Sequence, residues 1–387
     1  MKKYYLMAPG PTPVPSNVLL AMAQPMIHHR TPEYEALFIE VRAGLKRLFQ
    51  TAQDVIPFTA SGTGSMEAAV VSTLSAGDTV LVLRAGKFGE RWEEICAAYG
   101  LTVVPLIAPF GETVTADRVA QALREHPETR AVLMQHSESS TGVLHDVKGV
   151  AAVTWPTAAI LIVDAVSSLG IADLPMDAWG VDVVVAGSQK ALMCPPGLAF
   201  ASVSQRALDD AASSPGRRYY FDWGKTVKAQ RKASPDTAFT PAVTIIRGLD
   251  VALDLIHAEG LEDVLARHAI LARATRAGAQ ALGLELFGDP DERANVVTAI
   301  ELPPDIDGAK VPGALRRLGI TANGGQEQLK GRILRIAHCG YFGAFDILTS
   351  LSGLEMVLHQ LGREVEHGAG VGAAQRVFLE AGVPAIA

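Results

Sequence analysis

The chain has little cysteine. Its 387 residues include three cysteines, Cys96, Cys194 and Cys339, which lie far apart and form no Cys-x-x-Cys pair. Disulfide frameworks, iron–sulfur clusters and other cysteine-held metal sites need closely spaced cysteines, so we expect no disulfide and no metal. This usage is typical of proteins in a reducing compartment, and we expect a cytoplasmic protein.

The sequence also lacks long apolar runs and an excess of positive charge. No apolar stretch reaches the roughly 18 residues of a membrane-spanning helix, and the N-terminal residues lack the apolar core of a signal peptide. The formal net charge of −7 is unlike that of a nucleic-acid-binding protein. We therefore expect neither a membrane nor a nucleic-acid partner. With 49% hydrophobic and 19% charged residues, the composition is that of a globular protein long enough for two domains.

Short apolar runs alternate with helical patterns along most of the chain. Strands are predicted over residues 79–83, 103–107, 131–134, 160–163, 181–185 and 198–203, and helices over residues 31–49, 88–99 and 115–124. This alternation is typical of a doubly wound, mostly parallel α/β sheet. Further on, we predict an irregular segment at 213–240, a helical run at 243–283 interrupted near Gly260, strands at 296–302 and 332–337, and helices at 311–318, 344–361 and in the tail.

Two of the buried strands end in charged side chains. Asp164 follows the apolar residues 159–163, and Lys190 follows the β-branched run 181–185 and a Gly-Ser-Gln turn. If the two strands are adjacent and parallel, both side chains lie at the edge where open α/β sheets bind ligands. A desolvated lysine forms Schiff bases with aldehydes such as pyridoxal 5'-phosphate, and a carboxylate keeps the pyridine nitrogen protonated. The alternatives are a surface lysine and a helix-capping aspartate.

A loop rich in glycine, serine and threonine precedes a helical pattern at residues 60–70. The N–H groups and the dipole of a helix start bind phosphate. The spacing fits neither a P-loop nor a dinucleotide fingerprint, because no Gly-Lys-Ser/Thr follows and the third glycine is missing. By itself the loop is a weak signal and favours an ordinary capped helix.

Residues 187–192 with Pro195, Pro196 and Gly197 resemble the pyridoxal-lysine motif of class V aminotransferases, and more narrowly of the alanine–glyoxylate, serine–glyoxylate and serine–pyruvate group. Matching segments follow in order along the chain: residues 9–15, 28–32, 61–64, 138–143, 164–169, 324–325 and 334–336. The resemblance implies fold type I, in which a large domain with a seven-stranded sheet is joined to a smaller C-terminal α+β domain. We expect an N-terminal arm at 1–15, a large domain at 16–258 and a small domain at 259–387. The resemblance also implies a homodimer with shared active sites.

The same resemblance implies a cofactor site. Lys190 carries the cofactor and then moves a proton between the substrate Cα and the cofactor C4′ atom, and Asp164 pairs with the pyridine nitrogen. The remaining implied cofactor contacts are Ser61, Gly62, Thr63 and Gln189 at the phosphate, Phe88 and Val166 on the two ring faces, Ser139 at the ring hydroxyl, and Thr240 at the phosphate of the neighbouring subunit. Phe88 stands where many relatives have a tryptophan that stacks on the ring. The alternative interpretation is that Phe88 is a core aromatic residue at the start of a helix. Thr237 stands where some relatives have a tyrosine that reaches the phosphate.

The resemblance assigns substrate binding to Arg335 and to the arm at Gly10. The Arg335 guanidinium would bind the substrate carboxylate, and the arm would close over the substrate. The alternatives are a salt-bridged strand arginine and a plain N-terminal wrap. His28, His29 and Arg30 either line the entrance or only satisfy local hydrogen bonds.

The expected function is a ping-pong transamination between a small amino acid and a small 2-oxoacid. We see one carboxylate-binding residue and no second cationic pocket in the sequence. This predicts a short, uncharged donor, alanine or serine, with glyoxylate or pyruvate as acceptor. Two alternatives are a pyridoxal-dependent lyase such as a cysteine desulfurase and a non-enzymatic subunit of a soluble hydrogenase-like complex. The lyase would need a mobile cysteine, and the second would need metal-holding cysteine pairs that are absent.

Overall fold

The fold is built around a seven-stranded sheet whose strands alternate with helices along the chain. The computed structural model describes residues 3–382. The first two residues of the predicted arm and the last five of the predicted small domain lie outside this range. The seven-stranded sheet and the α/β alternation confirm the predicted fold class.

The strands are two to six residues long. Within residues 3–382 they are β1 (Tyr5–Leu6), β2 (Asp54–Phe58), β3 (Thr79–Arg84), β4 (Thr102–Ile107), β5 (Ala131–Gln135), β6 (Ser137–Glu138), β7 (Val143–Leu144), β8 (Ile160–Asp164), β9 (Val183–Gly187), β10 (Ala199–Val203), β11 (Val297–Glu301), β12 (Ile320–Thr321), β13 (Asn323–Gly324) and β14 (Ile333–Ala337).

Helices connect these strands and follow the large sheet. Over the same residues they are α1 (Ser16–Met22), α2 (Pro32–Leu48), α3 (Gly62–Thr73), α4 (Lys87–Ala98), α5 (Ala116–Glu125), α6 (Val147–Thr154), α7 (Met176–Trp179), α8 (Gln205–Ser213), α9 (Trp223–Gln230), α10 (Val243–Glu259), α11 (Leu261–Ala281), α12 (Val311–Leu318), α13 (Ala344–Gln360) and α14 (Ala369–Ala381). Short 3₁₀ turns span Pro290–Glu292, Gly308–Lys310 and Glu327–Leu329.

The large sheet has the order β2-β10-β9-β8-β5-β3-β4. The five strands from β9 to β4 are parallel, and β10 runs antiparallel to both of its neighbours. Successive side chains of a strand point to opposite faces. Accordingly, Leu81 and Leu83 of β3 join one buried cluster with α2, α5, α6 and α10, while Val80 and Val82 join another with α3, α4, α8 and α9. The sheet is therefore covered by helices on both faces.

A second, smaller sheet has the antiparallel order β11-β14-β13. Its core includes side chains of α11 to α14. The helical run predicted at 243–283 is divided at Gly260, which has a positive φ of 93° between α10 and α11. The N-terminal residues also belong to this region, because β1 pairs in parallel with β12 and Met7 is buried in the same core.

Several elements differ from the predictions. The strand β2 was not predicted; it is an edge strand of the large sheet, where its Pro57 is tolerated. The helix α1 was missed. The segment 213–240, predicted to be irregular, contains α9, whose first turn is capped by the Asp222 side chain accepting from the Lys225 N–H. The strand predicted at 181–185 lies two residues further on.

Candidate active site

Asp164 and Lys190 lie at the same edge of the large sheet. Asp164 is the last residue of β8, which pairs in parallel with β9, and Lys190 follows β9 after the turn 188–189. Both side chains are buried, with relative exposures of 5% and 9%. They line one cavity of about 330 Å³. The structure therefore brings together the two charged groups that the sequence analysis paired.

Burial perturbs both groups in the direction that favours their neutral forms. Burial lowers the pKa of Lys190, opposed mainly by the nearby Cys339 and Asp164. Burial raises the pKa of Asp164 to about 6, opposed by a hydrogen bond from the Val166 N–H and by the charges of Arg91 and Lys190. A lysine with a lowered pKa has more of the unprotonated amine that attacks an aldehyde carbon. A positively charged group bound next to the Asp164 carboxylate would favour its ionised form.

The start of α3 forms another part of the cavity wall. Ser61 caps the helix by accepting from the Gly64 N–H, and Ser61, Gly62 and Thr63 all face the cavity. The first N–H groups of a helix have no acceptor inside the helix, so they are available to an anion. Gly62 is required here, because a Cβ atom would lie 2.7 Å from Cγ2 of Val166.

Gln189 contributes a polar atom without a protein partner. Its Oε1 is buried and has no hydrogen-bond partner within residues 3–382, and the residue lines the same cavity as Ser61 and Thr63. A buried amide oxygen is normally paired, so an unpaired one in a cavity wall indicates a bound group.

Phe88 and Ser139 are linked through the buried Glu138. The Phe88 and Gly89 N–H groups, in the first turn of α4, donate to Glu138 Oε2 at 3.0 and 3.1 Å. Burial raises the pKa of Glu138 to about 7, opposed by its hydrogen bonds to Ser140 and to backbone N–H groups. Phe88 lines the cavity. Ser139 lies behind it, with its Oγ 3.4 Å from the Oγ of Ser167, which does line the cavity.

Arg335 is a buried arginine of β14, with a relative exposure of 4%. Its Nε–H donates to the Gly324 carbonyl at 3.0 Å and one Nη1–H donates to the Ser139 carbonyl at 2.8 Å. The guanidinium has five N–H groups, so the second Nη1–H and both Nη2–H groups remain for another acceptor. Burial lowers its pKa to about 10, opposed by the Glu138 charge. The described wall of the Lys190 cavity does not include Arg335.

The N-terminal arm contacts the lysine directly. The carbonyl of Pro9 accepts a hydrogen bond from Lys190 Nζ, and Thr12 Oγ1 donates to the Lys190 carbonyl at 3.0 Å. Gly10 has a φ of 142°, and a Cβ atom there would overlap Cε and Nζ of Lys190. Gly10 thus lines the cavity against the lysine side chain.

The other predicted residues lie elsewhere within the described chain. Thr240 is exposed and, with Thr237, borders a separate cavity beside Tyr220 and Phe239. His29 and Arg30 border a third cavity with Tyr34. Arg30 forms an ion pair with Asp236. His28 accepts from the Arg30 N–H through Nδ1 at 3.1 Å. The structure of one chain therefore brings neither group to Lys190.

The sequence analysis missed one charged residue of the cavity. Arg91 lies in its wall, with its guanidinium carbon 4.9 Å from the Phe88 ring centroid and Nη1 3.5 Å from Thr63 Oγ1. The expectation that no second cationic pocket binds the donor side chain stays a prediction, because the wall position of Arg91 does not show what it binds. A signal was present, since residues three apart on a helix share a face and Phe88 had been singled out.

Among residues 3–382, no group of three or more His, Cys, Asp or Glu side chains is placed to hold a metal ion together. None of the helices over the same residues is long and apolar enough to cross a membrane.

The family profile described as aminotransferase class V matches residues 4–336. The chain is a class V aminotransferase. It is therefore an enzyme, a transaminase that depends on pyridoxal 5'-phosphate. The cavity fits that cofactor: it holds a desolvated amine, a buried carboxylate, and a helix start for a phosphate where the missing Cβ of Gly62 leaves space.

Its relatives span the whole aminotransferase chain. A protein of Hyphomicrobium methylovorum named serine–glyoxylate aminotransferase is 38% identical over 97% of this chain and 94% of that protein. The crystal structure of ureidoglycine–glyoxylate aminotransferase from Bacillus subtilis superposes with a TM-score of 0.93 at 31% identity, covering 97% of this chain and 98% of that one.

Another relative has a different kind of name. The soluble hydrogenase, small subunit, of Synechococcus sp. (strain PCC 6716) is 43% identical over 98% of this aminotransferase and 99% of that protein. That name applies to that protein. The family assignment makes the present chain a transaminase, which decides against both the lyase and the non-enzymatic alternative.

Proposed function

We propose that this aminotransferase moves an amino group from a small amino acid, alanine or serine, to a small 2-oxoacid, glyoxylate or pyruvate. The observation that carries the proposal is the small volume of the Lys190 cavity, about 330 Å³. Such a volume favours substrates with short side chains, because typical ligand pockets start near about 300 Å³. The names of two relatives support glyoxylate as acceptor and leave the donor open, since they pair glyoxylate with serine or with ureidoglycine.

The cofactor contacts proposed within one chain line the cavity, except for Ser139, which lies next to the cavity-lining Ser167. Lys190 binds the cofactor aldehyde, Asp164 holds the positive charge of the ring nitrogen, and Ser61, Gly62, Thr63 and Gln189 hold the phosphate. Phe88 and Val166 face the two sides of the ring, and Ser139 reaches the ring hydroxyl. When bound, pyridoxal phosphate withdraws electrons from the substrate Cα and carries the amino group between the two substrates.

The chain's own residues then bind the substrate and move its proton. Arg335 uses its free Nη1–H and Nη2–H groups to bind the carboxylate that both substrates share, which orients the Cα–H bond toward Lys190. Lys190 Nζ removes the Cα proton as a general base and holds it until it returns it on the cofactor side. Gly10 lets the arm close over this region, because any side chain there would displace Nζ.

We further propose a homodimer with shared sites. The support is Thr240, which is exposed and borders a cavity other than that of Lys190, in a surface that also exposes Tyr219 and Tyr220. Exposed aromatic residues of this kind are typical of interfaces. Sedimentation of the protein loaded with cofactor over a dilution series tests this, and a monomer that keeps both its cofactor and its activity would contradict it.

We also propose a division into domains and a cellular location. The division into an arm, a large domain ending near residue 258 and a small C-terminal domain is supported by the break at Gly260 and by the separate cores of the two sheets. A cytoplasmic location is supported by the three cysteines, which are buried and unpaired.

A substrate panel tests the proposed reaction. We would measure both half-reactions with alanine, serine, glycine and aspartate as donors and with glyoxylate, pyruvate and 2-oxoglutarate as acceptors. We expect the highest kcat/KM for alanine or serine with glyoxylate. Lys190→Ala is the control and should be inactive in every pair while remaining folded. A preference for aspartate with 2-oxoglutarate would overturn the proposed substrate class, and an active Lys190→Ala variant would overturn the role of the lysine.

A further inference from the structure

The phosphate of the cofactor needs more positive charge than the contacts proposed above supply. A phosphate monoester carries a charge of about −1.5 to −2 near neutral pH. The start of a helix offers only about half of one positive charge, and serine, threonine and glutamine side chains are neutral. Lys190 is committed to the aldehyde. The described wall of the cavity contains one other cation, Arg91.

Arg91 stands next to the proposed phosphate position. Its Nη1 lies 3.5 Å from Oγ1 of Thr63, in the first turn of α3, and the guanidinium carbon lies 4.9 Å from the centroid of the Phe88 ring. The side chain thus spans from the ring-facing residue to the residue at the helix start. A planar guanidinium that rests on an aromatic face is held in orientation at little entropic cost.

Arg91 forms no ion pair with a carboxylate within residues 3–382, whereas its neighbour Lys87 pairs with Glu90, Glu94 and Glu327. Most of the N–H groups of Arg91 are therefore free to donate. Its charge also reaches the interior, since it helps to lower the pKa of Asp164 and of Lys190.

We propose that Arg91 is a phosphate-binding residue of the cofactor site, donating charge-assisted hydrogen bonds to the phosphate at the start of α3. The inference rests on the proposed placement of that phosphate at Ser61, Gly62 and Thr63. Arg91 also contacts the face of Phe88, so the guanidinium links the phosphate to the ring-facing side chain.

The test compares the cofactor with its analogue that lacks the phosphate. Apoenzyme is prepared for the wild type, Arg91→Gln, Arg91→Lys and the control Lys87→Gln, which removes a cation from the same helical turn outside the cavity wall. The Kd values for pyridoxal phosphate and for pyridoxal are measured by quenching of tryptophan fluorescence, and inorganic phosphate is titrated as a competitor.

We expect Arg91→Gln to raise the Kd of pyridoxal phosphate by about 10- to 100-fold, the range for a hydrogen bond to a charged group. The Kd of pyridoxal should stay within about twofold of the wild-type value, the usual scatter of independent changes. Arg91→Lys keeps the charge without the planar fork and should give an intermediate loss. Competition by inorganic phosphate should weaken in parallel, and Lys87→Gln should match the wild type.

Two results would overturn the proposal. An unchanged Kd for pyridoxal phosphate would show that Arg91 does not bind the phosphate. Equal losses for pyridoxal phosphate and pyridoxal would show that Arg91 acts only by supporting Phe88. If the wild-type protein bound neither compound, the proposed cofactor site itself would fail, which is a separate and recognisable outcome.

Discussion

Asp164→Asn should make the cofactor-free protein more stable, although it damages the enzyme. Asp164 is buried near Lys190, whose own pKa is lowered by burial, so no strong ion pair compensates the buried carboxylate. Asparagine has nearly the same shape, and its Oδ1 can still accept the 2.8 Å hydrogen bond from the Val166 N–H. The substitution therefore removes the charge and leaves the packing in place.

The expected gain follows from the pKa of Asp164, which burial raises from 3.8 to about 6. Between these values the unfolded chain releases the proton while the native protein keeps it, so stability falls as the pH rises through this window. Above the native pKa the buried carboxylate costs the native state about 3 kcal/mol. The asparagine variant is free of this cost.

Urea unfolding of the two apoproteins measures the difference. At about pH 8 the variant should be more stable by about 3 kcal/mol, and at about pH 4 the difference should nearly vanish. Asp54→Asn is the matched control: Asp54 is also buried, but Arg231 and Arg42 pair with it, so its substitution should destabilise the protein. Equal or lower stability of Asp164→Asn at the higher pH would refute the argument. Added pyridoxal phosphate should stabilise the variant less than the wild type.

The other predictions concern the substrate and the arm. Arg335→Lys should weaken transition-state binding, measured through kcat/KM, by about 2–5 kcal/mol for donors and acceptors alike. The reason is that lysine cannot form the two parallel hydrogen bonds of a guanidinium. Arg276→Lys, at a half-buried arginine that donates to the Ala294 carbonyl, is the control and should leave kcat/KM near wild type. If Arg335→Lys instead loses cofactor, or keeps its kcat/KM, Arg335 is structural. Gly10→Ala should displace the Lys190 amine and reduce kcat by about 100-fold, the cost of a misplacement near 1 Å. A Gly10→Ala enzyme with wild-type kcat would show that the arm does not restrain the lysine.

The parts of the fold that the sequence predicted are those with strong local patterns. Asp164 and Lys190 follow continuous β-branched and aliphatic runs, and such runs identify buried parallel strands without any knowledge of their neighbours. The strand β2 was not predicted, and its Pro57 is tolerated because the strand lies at a sheet edge. Edge position is a property of the assembled sheet, which no local pattern contains.

The site could be predicted only as far as single residues carry chemistry of their own. Lysine and aspartate at strand ends were identifiable, whereas Arg91 and Glu138 acquire their roles from distant partners. Glu138 lies fifty residues beyond the helix start that it binds. Likewise, the hydrogen bond from Arg335 to the Ser139 carbonyl joins residues that are 196 positions apart in the sequence. These relations exist only in the folded chain.

The arm also constrains the order in which the protein can fold. Tyr5 and Leu6 pair with Ile320 and Thr321, and a few residues later Thr12 holds the Lys190 backbone. During synthesis the arm leaves the ribosome long before its partner strand exists. Contacts so distant in sequence are slow to form, because a large loop must first close. The wall around Lys190 is therefore completed only after β12 is available to pair with β1. Nascent chains that are released before that point should not retain cofactor.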